Sequence, residues 1–381
     1  MILPGATLGV VGGGQLGRMF VIAAQRMGYL AAVLDPDPDS PAGRVADVHL
    51  KADFVDRKAL DELAHLCAAV TVEFESVPVQ SLIHLAQTRP VRPGAAAVAI
   101  AQNRILEKRF LAECGHPVVP FATVHGFGDI PGALERFGGA AVLKRACFGY
   151  DGKGQALVRS VSEAMEAFGN FGNEPCVLES LCAFQAEISV VLARGEDGAT
   201  VVYPAIENQH RNGILDTSVI PARVPPTVAC LAAEAAVRIA AVLNYVGVLT
   251  VEFFVSNGRV IVNEIATRPH NSGHVTLDVC VTSQFEQQVR VLCELPLGDV
   301  GLLCPAAMTN LLGNLWTRSV PCWEVILREP RAKLHLYGKR AARPGRKMGH
   351  FTCLGDTPDE ARALAAGVEK RLRKRSAIVD T

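Results

Sequence analysis

Val142-Leu143-Lys144-Arg145-Ala146-Cys147-Phe148-Gly149-Tyr150-Asp151-Gly152-Lys153-Gly154-Gln155 is the stretch on which the fold turns. An apolar strand carries a lysine, opens into a glycine loop with one tyrosine and one aspartate, and resumes as a strand at Ala156-Leu157-Val158. Glycines clear side chains from the backbone, so successive N–H groups can wrap phosphate oxygens, and Lys144 and Lys153 add positive charge. A mobile hairpin turn is the plain alternative. The remainder of the chain decides between them.

Upstream, Thr7-Leu8-Gly9-Val10-Val11 reads as a buried strand. Gly12-Gly13-Gly14-Gln15-Leu16-Gly17 follows, then a helix from about Arg18 to Met27 and a second strand, Leu30 to Leu34, ending at Asp35. This satisfies G-x-G-x-x-G with an acid at the next strand end. A tight turn at a helix N-terminus suits a nicotinamide dinucleotide, any other phosphorylated ligand, or close helix packing. A helix near Arg57 to Leu66 and a strand at Ala69 to Val72 continue the alternation, and the chain leaves the sheet as Glu73-Phe74-Glu75. Carboxylates at that edge suit amines or ribose hydroxyls; otherwise they are solvent-exposed acids. After a break at Pro90 to Gly94, helical periodicity runs from Asn103 to Cys114, with Arg104 and Lys108 on one face that is expected to be solvated.

Around the glycine loop, the strand at Phe121, a helix near Ile130 to Phe137, a helix at Ser162 to Phe168 and the strand Pro175 to Glu179 make a small α+β unit over roughly 115–180. Longer strands follow at Ala186 to Ala193, Val201 to Ala205 and Gly213 to Ile220, then a helix from Pro226 to Leu243. Gly247 to Phe254 and Arg259 to Glu264 form a hairpin across Asn257-Gly258. That hairpin sets Glu252 and Glu264 on neighbouring strands among apolar residues, which is costly unless something positive neutralises them. With the amide oxygen of Asn263 they offer the hard donors that Mg²⁺ takes when it also holds nucleotide phosphates; pairing with arginine or lysine is the alternative. His270 and His274 are four apart, but Pro269 and Gly273 favour a loop and the glutamate of H-E-x-x-H is missing, which disfavours zinc. Further strands are expected at Ala307 to Leu312 and Ala332 to Tyr337. Lys339, Arg340, Arg343, Arg346 and Lys347 then surround a Pro-Gly turn suited to an anion, whereas Lys370 to Arg375 is the exposed face of a last helix.

At 381 residues, two or three domains are expected, and 49% hydrophobic residues supply their cores. Charges cancel, 38 against 38, so nothing global points to nucleic acid or an anionic membrane. The window Val237 to Phe254 is interrupted by Arg238, Asn244 and Glu252 and is a poor transmembrane span. Eleven scattered cysteines without a C-x-x-C pair or a secretory leader read as reduced thiols of a cytoplasmic protein. A lysine and glycine lid for phosphates, strand-end carboxylates for a nucleoside and a paired-acid Mg²⁺ site are the parts of phosphoryl transfer, and no G-x-x-x-x-G-K-[ST] occurs.

This arrangement resembles the ATP-grasp superfamily and, within it, the N5-carboxyaminoimidazole ribonucleotide synthase family. The resemblance is carried by Gly14-Gln15-Leu16-Gly17-Arg18, Glu73-Phe74-Glu75, Lys144 with the loop 149–155, Glu207-Asn208-Gln209-His210, Asn263-Glu264, Arg268 with His270 to His274, and Arg343 to His350, in family order over essentially the whole chain. It implies α/β and α+β architecture: an N-terminal Rossmann-like (pre-ATP-grasp) substrate domain over 1–100, an ATP-grasp domain over 101–295 with its lid at about 115–180, and a C-terminal mixed α/β region over 296–381. The implied reaction is carboxylation of 5-aminoimidazole ribonucleotide at N5 with bicarbonate and ATP, through carboxyphosphate, by a cytoplasmic homodimer.

By the same likeness Arg104, Lys144, Gly149, Tyr150, Asp151, Gly152, Lys153, Gly154, Gln155, Glu179, Ser180, Leu181, Cys182, Glu187, His210, Asn263 and Glu264 would hold ATP, and Glu252 and Glu264 would hold Mg²⁺. Gln15, Leu16, Glu73, Glu75, Arg268, His270, Asn271, Ser272, Lys339, Arg346 and Lys347 would face the ribonucleotide or bicarbonate, with Tyr150, Asp151, Arg268 and Lys347 nearest the chemistry. No enzyme nucleophile is expected. Phe148 departs from the family loop, which opens with glycine there. A formate-dependent glycinamide ribonucleotide transformylase or a biotin carboxylase-like enzyme would share the ATP-grasp parts, and Gly12 to Gly17 with Asp35 keeps a nicotinamide-dependent oxidoreductase as the contrasting reading.

Overall fold

The computed structural model describes residues 1–378 except Phe148, Tyr150, Asp151, Lys153 and Arg318. The expected lid roles of Tyr150, Asp151 and Lys153, and the question of Phe148, therefore lie outside the described residues.

The first unit contains β1 (Thr7–Val11), α1 (Gln15–Arg26), β2 (Leu30–Leu34), β3 (Val48–Leu50), α2 (Arg57–Leu66), β4 (Ala69–Val72), α3 (Val79–Ala86) and α4 (Ala95–Gln102). Its strands form a parallel sheet in the order β3-β2-β1-β4. β1, β2 and β4 are almost continuously apolar because helices cover both faces. α1 begins at Gln15, three residues before the expected Arg18: Gly14 is the extended cap residue, so Gln15, Leu16 and Gly17 of the glycine motif open the helix. α4 went unrecognised in the sequence because Ala95-Ala96-Ala97-Val98-Ala99-Ile100-Ala101-Gln102 is apolar all round and shows no periodic stripe.

From α5 (Arg104–Glu113) the chain enters the small α+β unit: β5 (Phe121–Val124), α6 (Ile130–Arg136), β6 (Ala141–Arg145), β7 (Gln155–Val158), α7 (Val161–Asn170) and β8 (Cys176–Ser180). Its antiparallel sheet has the order β5-β8-β6-β7, packed on α6 and α7 through Leu134, Leu143, Phe168 and Leu178.

The third unit holds β9 (Ala186–Arg194), β10 (Thr200–Val202), β11 (Ile206–Arg211), β12 (Ile214–Ile220), α8 (Pro226–Val242), β13 (Gly247–Ser256), β14 (Arg259–Ala266), α9 (Thr276–Val279) and α10 (Gln284–Leu292). β15 (Ala306–Leu312), α11 (Glu324–Leu327), β16 (Ala332–Leu336), β17 (Lys347–Leu354) and α12 (Pro358–Ile378) complete it. One sheet runs β14-β13-β9-β11-β12-β15-β17-β16, with β10 paired to β9. The C-terminal strands thus extend the sheet that carries Glu252 and Glu264. The expected strand Val201 to Ala205 is corrected: β10 stops at Val202, Pro204 intervenes, and β11 begins at Ile206. β11 escaped notice because Glu207-Asn208-Gln209-His210 is polar throughout, its side chains being spent on hydrogen bonds such as Asn208 Nδ2 to Ser189 Oγ at 3.0 Å.

α10 packs Phe285, Val289 and Leu292 against the core beneath α1 and joins the first unit to the large sheet. Arg92 braces the same seam, donating to the Leu292 carbonyl at 2.9 Å and to Glu294 at 2.8 Å. On the opposite side Arg340 pairs with Asp39 at 2.6 Å and Arg44 donates to the Gly338 carbonyl at 2.9 Å, which ties the cationic loop to the first unit.

Candidate active site

The β13–β14 hairpin sets the centre. Asn257 and Gly258 both take positive φ in the turn, and the register that follows places Glu252 directly opposite Glu264 beside a bulge. Arg104 donates to Glu264 at 2.8 Å. Burial raises the Glu264 carboxyl, but Arg104 and then Lys144 outweigh it and bring its pKa down to about 2. Glu252 has His270 3.4 Å away; burial first, then the charge of Glu264, pushes it up to about 7 against the opposing charges of His210 and Lys347. Asn263 Oδ1 is buried with no hydrogen-bond partner among the described residues. Two carboxylates and an orphaned amide oxygen suit a hard cation, and the excess negative charge felt by Glu252 is what such a cation would relieve.

One side of this centre carries lysines, carboxylates and a histidine. Lys144 on β6 pairs with Glu179 on β8 at 2.7 Å. Burial raises Glu179, yet Lys108 and Lys144 hold its pKa below the ordinary value. His210 bonds Glu187 on the adjacent strand. Burial lowers the imidazole, and the carboxylates Glu187, Glu252 and Glu264 bring its pKa above the usual one. Ser180 ends β8, and Leu181 and Cys182 continue outside any strand, with Leu181 exposed. Gly152 and Gly154 have positive φ, and a Cβ on Gly152 would lie 3.1 Å from the Asn212 carbonyl, so the glycine loop meets the β11–β12 turn backbone to backbone. Gly149 and Gln155 flank it.

The other side gathers acids and cations from all three units. Arg268 pairs with Glu75 at 2.8 Å. Glu73 is raised by burial but opposed by the Gly17 N–H, which it accepts at 2.8 Å, and by nearby Lys339 and Arg268. Lys347 opens β17 close enough to Glu252 and His270 to act on both. Burial, then Arg268 and Lys347, holds the His270 imidazole well below its usual pKa. Gln15 stands half-buried at the first position of α1.

Some expected contacts change. Leu16 is a core side chain, since the first turn of α1 turns it inward. Ser272 is fully buried, its hydroxyl bonded to Ser189 at 2.7 Å and His270 at 2.9 Å, so it holds the histidine. Asn271 likewise donates to Asn310, at 3.2 Å. Arg346 keeps its place in the cationic turn, where it donates to the Ala341 carbonyl at 2.9 Å. The loop expected at 268–274 tightens into a 3₁₀ turn, Ser272–Val275, where a Cβ on Gly273 would collide with the Gln284 carboxamide.

The solvated face assigned to Arg104 and Lys108 is overturned: both point into the site, and Lys108 has no exposed surface. Glu107 was missed altogether; it is buried and accepts the Ile265 N–H at 2.7 Å. The spacing Arg104, Glu107, Lys108 was visible, but charge alone cannot tell water from a facing strand.

Two other sites fail on geometry. Asp35 accepts the Gly13 N–H at 2.6 Å and the Asp37 N–H at 2.8 Å, while Glu73 fills the helix start, so both the ribose acid and the pyrophosphate position of a dinucleotide are taken by the protein itself. Among the described residues Asp278, His335 and His350 are the one close trio of metal-ligand type. The two imidazoles stack at 4.5 Å and 16°, so one ion cannot lie in both ring planes. His335 instead bonds Asp278 at 3.0 Å.

Comparison with known proteins gives a consistent picture. Sequence profiles of the ribonucleotide synthetase preATP-grasp domain, the ATP-grasp domain and the phosphoribosylaminoimidazole carboxylase C-terminal domain match residues 5–102, 109–285 and 306–364. The N5-carboxyaminoimidazole ribonucleotide synthase of Bacillus subtilis (strain 168) is 42% identical over 361 residues, 94% of each chain. The crystal structure of an ADP complex of N5-carboxyaminoimidazole ribonucleotide synthetase superposes with a TM-score of 0.91 at 40% identity, covering 97% of both chains. The Aspergillus clavatus enzyme in complex with ADP and 5-aminoimidazole ribonucleotide gives 0.90 at 31% identity, covering 97% of this chain and 99% of that one.

Proposed function

This chain belongs to the N5-carboxyaminoimidazole ribonucleotide synthase family, ATP-grasp ligases of purine biosynthesis, and from that premise we propose that its three units close one site around ATP with Mg²⁺, bicarbonate and 5-aminoimidazole ribonucleotide. The observation that carries this reading is the position of the Glu252–Glu264 pair, with a nucleotide-type lysine–glutamate face on one side and the Glu73, Glu75 and Arg268 cluster on the other.

Lys144 and Arg104 would bind nucleotide phosphates. Glu187 and His210 would take the ribose, and the backbone of Ser180, Leu181 and Cys182 the base, beneath a lid formed by Gly149 to Gln155. Glu252, Glu264 and Asn263 would hold Mg²⁺, which when bound would neutralise phosphate charge. Bicarbonate oxygen attacks the γ-phosphorus as ADP leaves, giving carboxyphosphate; loss of phosphate releases CO₂ beside the substrate amine, which adds to it and loses a proton. Arg268 and Lys347 would stabilise the anionic intermediate, and the lid would exclude the water that destroys it. Glu73, Glu75, Gln15, His270, Lys339 and Arg346 would face the ribonucleotide, with Asn271 and Ser272 bracing His270. Tyr150 and Asp151 would sit beside the γ-phosphate.

We assign 1–100 to the substrate domain, 101–295 to ATP, with the lid at about 115–180, and 296–381 to completing the site; the order of the matching profiles supports this division. No helix among the described residues is long and apolar enough to cross a membrane, and a cytoplasmic homodimer is our reading of the assembly. Sedimentation at a single dimer mass is expected. The deciding assay is phosphate release from Mg-ATP on adding bicarbonate and 5-aminoimidazole ribonucleotide; no release overturns the function.

A further inference from the structure

Lys108 lies on α5 with no exposed surface, although burying an ammonium is costly and a methionine of similar length would fill the space without that cost. Its Nζ donates to the Asn263 carbonyl at 2.7 Å. It also lies 3.2 Å from one oxygen of Glu179, an ion pair more than a directed hydrogen bond, while the other oxygen accepts from Lys144 at 2.7 Å. The same helix grips the residues beside Asn263: Arg104 takes the Glu264 carboxylate at 2.8 Å, and Glu107 accepts the Ile265 N–H at 2.7 Å. Three ionisable side chains of α5 thus hold three consecutive residues of β14. Of these, Lys108 also makes an ion pair to β8 in the small unit.

We propose that Lys108 is a positioning residue that fixes the distance between the phosphate-facing Lys144 and the cation-facing edge Asn263–Glu264 by pinning both to α5. Glu179 transmits the constraint to Lys144, and the Asn263 main chain transmits it to the edge. Lys108 itself touches no substrate. The proposal rests on the ATP and Mg²⁺ reading of the site.

The test is Lys108→Met in the full-length protein. The KM for ATP and the Mg²⁺ concentration for half-maximal rate should each rise about 10- to 100-fold, as misplacement of a supporting group does, with the KM for the ribonucleotide within about twofold of wild type. A folded variant with unchanged ATP and Mg²⁺ dependence, or with only a lower melting temperature, overturns the proposal. Should Lys108→Met not fold, Lys108→Met/Glu179→Gln, which removes both members of the Lys108–Glu179 pair, is compared with Glu179→Gln alone. A further rise in the Mg²⁺ requirement supports the Asn263 arm, and no rise overturns it. Lys144→Ala separates the premises: if it leaves the ATP KM unchanged, the ATP site itself is misassigned, whereas a raised KM there with an unaffected Lys108→Met refutes the role of Lys108 alone.

Discussion

Glu252 and Glu264 share one register pair, yet their surroundings drive them to opposite ends of the carboxylate range. Arg104 keeps Glu264 ionised, while burial and the neighbouring charge hold Glu252 at about 7. The folded pKa of Glu252 lies above its ordinary 4.5, so its contribution to metal-free stability is complete below that value and is lost as pH rises through about 7. A cation needs the ionised form and favours the opposite direction. Mg²⁺ affinity should therefore climb as pH rises through 7, with proton uptake by buffer on binding at acidic pH and little at alkaline pH, measured calorimetrically in buffers of different ionisation enthalpy. Glu264→Gln keeps the shape and removes one of the paired charges. Phosphate release should fall by about a thousandfold or more while the far-UV circular dichroism stays unchanged. Retained turnover would sink the metal assignment.

α5 shows how an element can be read correctly and its role misjudged. Its helical period was legible from Asn103 to Cys114, and the structure makes Asn103 the cap of a helix that starts at Arg104: Asn103 Oδ1 accepts from Ile105 N at 2.9 Å and Leu106 N at 3.3 Å. Its polar stripe was assigned to water because Arg104, Glu107 and Lys108 find their partners on β14 and β8, over a hundred and fifty residues away for Glu264. Asn103→Ala should cost about 1 kcal/mol of stability by thermal unfolding, and, because the cap directly precedes Arg104, it should also raise the ATP KM. A loss of stability with unchanged ATP kinetics would show that the start of α5 is uncoupled from the site. β11 is the converse case: its residues were recognised as a motif, but a strand whose side chains are all spent on neighbours leaves no apolar alternation to find.

At the scale of the whole molecule, five buried thiols, Cys67, Cys176, Cys280, Cys293 and Cys353, lie in separate cores. Burial pushes Cys176 and Cys293 up to about 11, and Cys67, Cys280 and Cys353 up to about 12, whereas Cys230 is exposed. At neutral pH an aromatic disulfide reagent should label Cys230 in the native protein and reach those five only on unfolding. Rapid native labelling of several of them would mean that the cores open far more readily than their packing implies. The seams matter equally for function. α10 and Arg92 fix the first unit on one side, and the Arg340–Asp39 and Arg44–Gly338 contacts fix the cationic loop on the other. Glu73, Arg268 and Lys339 come from distant parts of the chain and meet only because those seams are closed.

The sequence by itself determined whatever depends on neighbours along the chain. The period of the strands and helices, the Asn257-Gly258 hairpin that sets Glu252 against Glu264, and the glycine loop after Lys144 follow from local sterics and from apolar spacing. Motif order was enough to point to the family. Tertiary structure decided what depends on the partner across a gap. It made Glu73 a cap on α1 and thereby excluded a dinucleotide, turned Leu16 and Ser272 inward, drew the C-terminal strands into the sheet of the paired acids, and buried Lys108 between Glu179 and Asn263. The reason is electrostatic: a charged side chain is cheap in water and costly in a core, and only the residue facing it, which sequence distance does not reveal, determines which environment it can occupy.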